Sequence, residues 1–227
     1  MTERLHHPLF QKGQGENQRD KGKRLWIKAA VLCFWLLIWE LVCRVVDNEI
    51  FLVSPLTVAK ALFTLIGQGK FWMTIAYSFL RIVLGFLLAT LTGILLATLA
   101  YRFELLKELI HPVIAVVKAA PVASFVILAL LWVDGSSLSI LISFLMVVPI
   151  IYTNVYQGLM AADKKLLEMA LVFRVKRTKR IRAIYIPSVM PYFISAVTIG
   201  LGFCWKAGIA AEVIGIPSGS IGERLYE

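Results

Sequence analysis

Two lysines stand inside long apolar runs of the sequence: Lys118, between Pro112 and Pro121, and Lys206, beside Trp205. A charge placed at the centre of an apolar spanning helix costs roughly 2.5–3.5 kcal/mol on insertion scales, so such residues persist where they pair or line water. Lys118 and Lys206 could therefore line an aqueous cavity that passes an anion. They could equally pair with a carboxylate such as Glu212, or with free backbone carbonyls. Arg44 and Arg81 lie near the ends of apolar runs, where a long side chain can carry its charge back to water. The other chemistry-bearing residues are sparse. His6 and His7 sit in a polar tail, His111 has no paired His or Cys, and Cys33, Cys43 and Cys204 lack Cys-x-x-Cys spacing. No Gly-x-Ser-x-Gly or His-Glu-x-x-His pattern occurs, so the residues argue against an enzyme and against a metal site.

The elements that must position the lysines are membrane helices. Of 227 residues, 59% are hydrophobic and 17% charged, with a mean hydropathy of +0.78, whereas a soluble domain carries roughly 25% charge and 45–50% apolar residues. The excess falls in blocks long enough to cross a hydrocarbon core. We read an all-α polytopic bundle with five spans, at about 29–46, 71–100, 109–133, 138–159 and 188–211. Residues 1–24 read as a disordered tail and 25–227 as the transmembrane domain. Between the first two spans, Ser54-Pro55 breaks the chain and Val58, Ala61, Leu62 and Leu65 predict a short amphipathic helix. Gly85, Ala89, Gly93 and Ala97 recur at every fourth residue, as do Ala196, Gly200, Cys204 and Gly208. Stripes of this kind let helices approach closely.

Charge sets the orientation. The net charge is +10, with seven Lys and Arg between Arg4 and Lys28 and eight between Lys164 and Arg182. Both clusters flank apolar runs, which marks them as cytoplasmic under the positive-inside rule rather than as nucleic-acid contacts. The N-terminus is then cytoplasmic, and Asp47, Glu49, Asp134 and Glu212 fall outside.

The loop over 161–187 is unusually long and charged for a membrane protein. Leu166, Met169, Ala170 and Phe173 share one helical face, and after a turn near Val175 so do Ile181, Ile184 and Tyr185. This pattern predicts two short amphipathic helices able to fit a groove on another protein.

Glu168-Met169-Ala170 followed by Ile184-Tyr185-Ile186-Pro187 resembles the signature loop of ABC importer permeases, Glu-Ala-Ala-x3-Gly-x9-Ile-x-Leu-Pro, with its spacing intact. Phe51-Leu52-Val53-Ser54-Pro55, the Arg81-bearing span and Ala210-Ala211-Glu212 are similar to the nitrate/sulfonate/taurine branch. The resemblance covers about residues 50–222.

It implies a bacterial inner-membrane, multi-pass permease whose loop docks on a separate cytoplasmic ATPase. It also implies a second permease subunit, expected to be an identical copy, and an extracytoplasmic solute-binding protein. The chain has no Gly-x4-Gly-Lys-Ser/Thr phosphate loop, so ATP belongs to the partner and no cofactor is expected here. The expected solute is a small anion such as a sulfonate, taurine or nitrate, or a related small solute. The coupling residues implied are Glu168, Met169, Ala170, Arg174, Ile184, Ile186 and Pro187. The alternative is a secondary transporter or channel that needs no ATPase, although no internal repeat supports it.

Two departures from the family pattern stand out. Arg174 occupies the position of the loop glycine, where a left-handed conformation would cost a non-glycine residue on the order of 1 kcal/mol. Either the turn is built differently or Arg174 contacts the ATPase. The family also continues with one more helix after the equivalent of Arg224-Leu225-Tyr226, so a sixth span is expected to be missing from this sequence.

Overall fold

The computed structural model describes residues 12–46 and 52–226, and among these the only regular element is helix. The chain divides into two compact units, residues 1–68 and 69–227.

The first unit holds α1 (Lys12–Val46) and α2 (Pro55–Ile66). The apolar part of α1 that could cross a membrane is Trp26–Val46. Residues 12–24, within the expected tail, continue α1 as helix, and residues 1–11 lie outside the described residues. Extending an existing helix costs far less than nucleating one, and Gln, Lys and Arg are good helix formers. In α2, the Ser54 hydroxyl accepts the Thr57 amide at 3.4 Å and Pro55 opens the first turn. Both suit a helix start, where the missing proline N–H has no partner to lose.

The second unit is organised around α6 (Gly135–Met160). It packs between α3 (Gly69–Arg102) and α9 (Ile186–Gly215). Ile142, Val147, Ile151 and Tyr152 of α6 are fully or almost fully buried. The two small-residue stripes line this packing. A Cβ at Gly93 would stand 2.8 Å from Ile151 Cβ, and one at Gly208 would stand 2.6 Å from Ile82 Cγ1. Pro149 is buried within α6, which runs on past it.

Four helices among the described residues are long and apolar enough to span a membrane, or five if one bent pair is counted as a span. That pair covers the expected span at 109–133 and breaks within it. α4 (Glu104–Ala119) and α5 (Val122–Leu130) meet at 100°. Ala120 and Pro121 between them are extended, at ψ 138° and 134°. A proline pushes the residue before it out of the helical region, and here nothing restores it.

A short α7 (Lys164–Val172) follows α6. α8 (Arg177–Arg180), one wide π turn (Ile181–Tyr185) and α9 then run as a single helix, Arg177–Gly215. α10 (Ile221–Arg224) closes the described chain. The expected second amphipathic helix is therefore the start of the last long helix. Pro187 has no N–H to give the preceding turn. The turn widens so that the Ile186 amide donates to Ile181 O, and Ser188 Oγ donates to Ile184 O at 2.8 Å. Such a wide turn absorbs a local mismatch without ending the helix.

Candidate coupling helix and charged residues within the bundle

α7 is fixed at both ends by local chemistry. At its start, Asp163 Oδ1 accepts the Lys165 amide at 2.8 Å, satisfying a donor that has no partner within the helix. At its end, the Arg174 amide donates to Leu171 O at 3.0 Å and the Val175 amide to Ala170 O at 2.9 Å. This double bond pattern is the Schellman cap, whose turn residue must be left-handed. Arg174 is that residue, with φ 52°. The turn is thus built in the form a glycine would allow, with arginine carrying the strain.

Of the residues singled out in the loop, Ala170 is buried at 3% exposure and anchors α7. Glu168, Met169 and Arg174 of α7 and its turn are exposed, as are Ile186 and Pro187, while Ile184 is half-buried. Glu168, Met169, Ala170 and Arg174 belong to α7 and its cap; Ile184, Ile186 and Pro187 belong to the π turn and the α9 start. The exposed surface of α7 is amphipathic: beside Lys164, Lys165 and Glu168 it presents Leu166, Met169 and Leu171, with Val172 78% and Phe173 of the cap 75% exposed. Val172 and the capping Asp163 escape the sequence argument. An Asp directly before a Lys-Lys-Leu-Leu start is the signal that would have marked the cap.

The charges within the bundle take separate positions. Lys118, near the end of α4, is exposed and donates from Nζ to Thr153 Oγ1 of α6 at 2.8 Å. Thr153 Oγ1 donates in turn to Pro149 O at 2.7 Å. Lys206 is exposed on α9. Neither lysine reaches ion-pair distance of Glu212 among the described residues. Glu212 is fully buried, and its Oε2 accepts from Ser78 Oγ at 2.7 Å while Oε1 is unpartnered. Ser78 Oγ also accepts the Ile221 amide at 3.0 Å, so one hydroxyl ties α3, α9 and the start of α10 together. Arg44 pairs with Glu40 at 3.1 Å, and the Arg81 guanidinium lies 4.4 Å from the centre of the Tyr77 ring. His111 packs edge-on against Tyr152 and Tyr156, and the described residues hold no metal-binding cluster.

An all-α bundle of apolar helices, with a capped helix carrying exposed apolar side chains, defines a polytopic membrane protein. Residues 89–227 match the family described as "Binding-protein-dependent transport system inner membrane component", and the chain belongs to that family. It is therefore a permease component of a transport system of the inner membrane.

The relatives agree. SsuC of Bacillus subtilis (strain 168), a permease whose name assigns it to aliphatic sulfonates transport, is 28% identical over 87% of this chain and 71% of its own length. The nitrate import permease protein NrtB of Leptolyngbya laminosa is 26% identical over 88% and 74%. The bicarbonate transport system permease protein CmpB of Synechococcus elongatus (strain ATCC 33912 / PCC 7942 / FACHB-805) is 28% identical over 71% of this chain, which spans 57% of it.

Proposed function

We propose that this chain is the permease subunit of an ATP-driven importer, and that α7 with its capping turn receives the force of a cytoplasmic ATPase. The observation that carries this reading is the group of exposed apolar side chains on α7 and its cap. Leu166, Met169, Val172 and Phe173 are exposed on a helix of nine residues held rigid at both ends. A contiguous apolar patch on a short, preformed helix is a surface suited to a groove on a partner. The spacing from Glu168 to Pro187 supports the same partner. Around α7, the basic residues Arg174 to Arg182 favour a partly acidic docking surface.

On this reading the basic loop and the N-terminus are cytoplasmic. Two copies of the chain form the pathway, and a solute-binding protein delivers the substrate from the other side. The solute is a small anion. The names of three relatives specify sulfonates, nitrate and bicarbonate, all anions, and Lys118 and Lys206 supply cationic groups toward such a pathway.

Purification of the full chain from its native membrane in mild detergent tests the proposal. An ATPase subunit should accompany the wild type and be lost from Val172→Asp/Phe173→Asp, a change to exposed side chains that leaves the bundle helical. Recovery of the chain alone, with solute crossing vesicles without ATP, would instead establish a channel or secondary transporter.

A further inference from the structure

At the end of the bundle where α3 and α6 finish, a cleft of about 560 Å³ carries three arginines: Arg102 of α3 and Arg177 and Arg180 of α8. Tyr101 and Tyr185, whose hydroxyls are 3.5 Å apart, share its wall. No carboxylate among the described residues reaches ion-pair distance of any of the three guanidinium groups. Three guanidinium groups lining one cleft without an acidic partner make it a site that attracts an anion.

A second hollow, a groove of about 260 Å³, opens directly from this cleft; Thr98, Leu159, Ile181 and Tyr185 line both. Its remaining wall is apolar, formed by Ile94 of α3, Val155 of α6, and Ile186, Val189, Met190 and Phe193 of α9. From Arg102, Ile94 lies eight residues along α3, which is about 12 Å at the rise of an α-helix. That is close to the depth of one leaflet's hydrocarbon, about half of a 30 Å core.

We propose that this paired cleft and groove is a binding site for an anionic phospholipid, with the phosphate-bearing headgroup among Arg102, Arg177 and Arg180 and an acyl chain along the groove toward Phe193. Charge complementarity selects the headgroup, because guanidinium groups match phosphate oxygens in pairs. The apolar continuation selects a lipid over a free anion, which would leave the groove unfilled. Basic pockets at helix ends on the cytoplasmic side are where anionic lipids are held against the general attraction of the surface. The site lies on the segment that joins α7 to α9, so a bound lipid would brace the element that carries α7.

Native mass spectrometry of the purified, delipidated full chain tests this with phosphatidylglycerol and phosphatidylcholine as probes. Phosphatidylglycerol should be retained in preference to phosphatidylcholine. Arg177→Gln/Arg180→Gln should weaken its binding by on the order of tenfold. Lys179→Gln/Arg182→Gln removes the same charge from the same segment without touching the cleft, and should leave binding unchanged. Thr98→Trp, which fills the junction while keeping every arginine, should abolish binding in a chain that remains helical and monodisperse. Equal retention of the two lipids would overturn the proposal, as would equal loss from both glutamine pairs. Undiminished binding by Thr98→Trp, or a dimer seated through the groove that excludes lipid, would overturn it too.

Discussion

The amide of Val175 donates to the carbonyl of Ala170 across a turn in which Arg174, at φ 52°, is the left-handed residue. A side chain in this conformation crowds its own backbone, at a cost of roughly 1–2 kcal/mol for a non-glycine residue. The turn nevertheless forms, because two cap hydrogen bonds and the burial of Ala170 fix it from the α7 side. Arg174→Gly should therefore leave the thermal midpoint of the detergent-solubilised chain unchanged or raise it, corresponding to at most about 1 kcal/mol. Arg174→Val should lower it, since a β-branched residue tolerates positive φ least. The ATPase pull-down separates strain from contact. Association that falls in Arg174→Gly while stability holds would assign the guanidinium a role at the docking surface.

Ser78 and Glu212, 134 residues apart, meet as a buried pair whose removal should be costly from one side only. Ser78→Ala strips the single hydrogen bond from a fully buried carboxyl group and the acceptor from the Ile221 amide. Leaving a buried polar group unsatisfied costs about 1–3 kcal/mol. Glu212→Gln keeps an oxygen acceptor for Ser78 and should be tolerated. Unfolding in graded denaturing detergent measures both. A stability of Ser78→Ala equal to that of the wild type would mean the hydroxyl carries no part of the α3–α9–α10 junction.

Close packing predicts a contrast between two glycines of the same helix. A Cβ at Gly208 would stand 2.6 Å from Ile82 Cγ1 and 2.8 Å from Ser143 Oγ, whereas one at Gly202 would meet nothing within 4 Å. Gly208→Ala must push α3 or α6 away and should cost about 1–3 kcal/mol. Gly202→Ala should be neutral or slightly stabilising, because alanine favours a helix interior. Equal behaviour in the same unfolding assay would contradict the close approach of α9 to the bundle.

Apolar runs, basic flanks and small-residue stripes made the helices and their packing legible in the sequence, because each reports a local period or a composition. Proline did not read so simply. Pro112, Pro149 and Pro191 lie inside helices that run on past them, Pro187 sits just after a widened turn, and Pro121 marks a 100° break. The outcome depends on whether a neighbouring hydroxyl donates into the loosened turn, as Ser188 Oγ does to Ile184 O, or the preceding residue turns extended, as Ala120 does. Arg174 misleads in the opposite sense, since its residue type argues against the conformation that the cap bonds impose. The Ser78–Glu212 contact has no periodic signature at all, and the arginine cleft needs helices distant in sequence to end at one level.

Lys118 offers the sharpest test of the anion pathway, because its one polar contact among the described residues can be removed without touching its charge. Thr153 Oγ1 accepts from Lys118 Nζ at 2.8 Å and so holds the ammonium against α6. If that ammonium meets the transported anion, Lys118→Met removes a hydrogen bond to a charged group, worth about 1.5–3 kcal/mol, and uptake should fall on the order of tenfold or more. Lys118→Arg should restore much of it. Thr153→Val leaves the charge but frees the side chain, so it should raise KM more than it lowers the maximal rate. Uptake into vesicles containing the whole transporter separates these outcomes, with Lys206→Met measured beside them. A substitution that lowers uptake of neutral and anionic solutes alike reflects lost packing of α4 on α6. Selective loss of anion uptake in Lys118→Met, but not in Lys206→Met, would place the pathway along the α4–α6 face and away from the exposed side of α9.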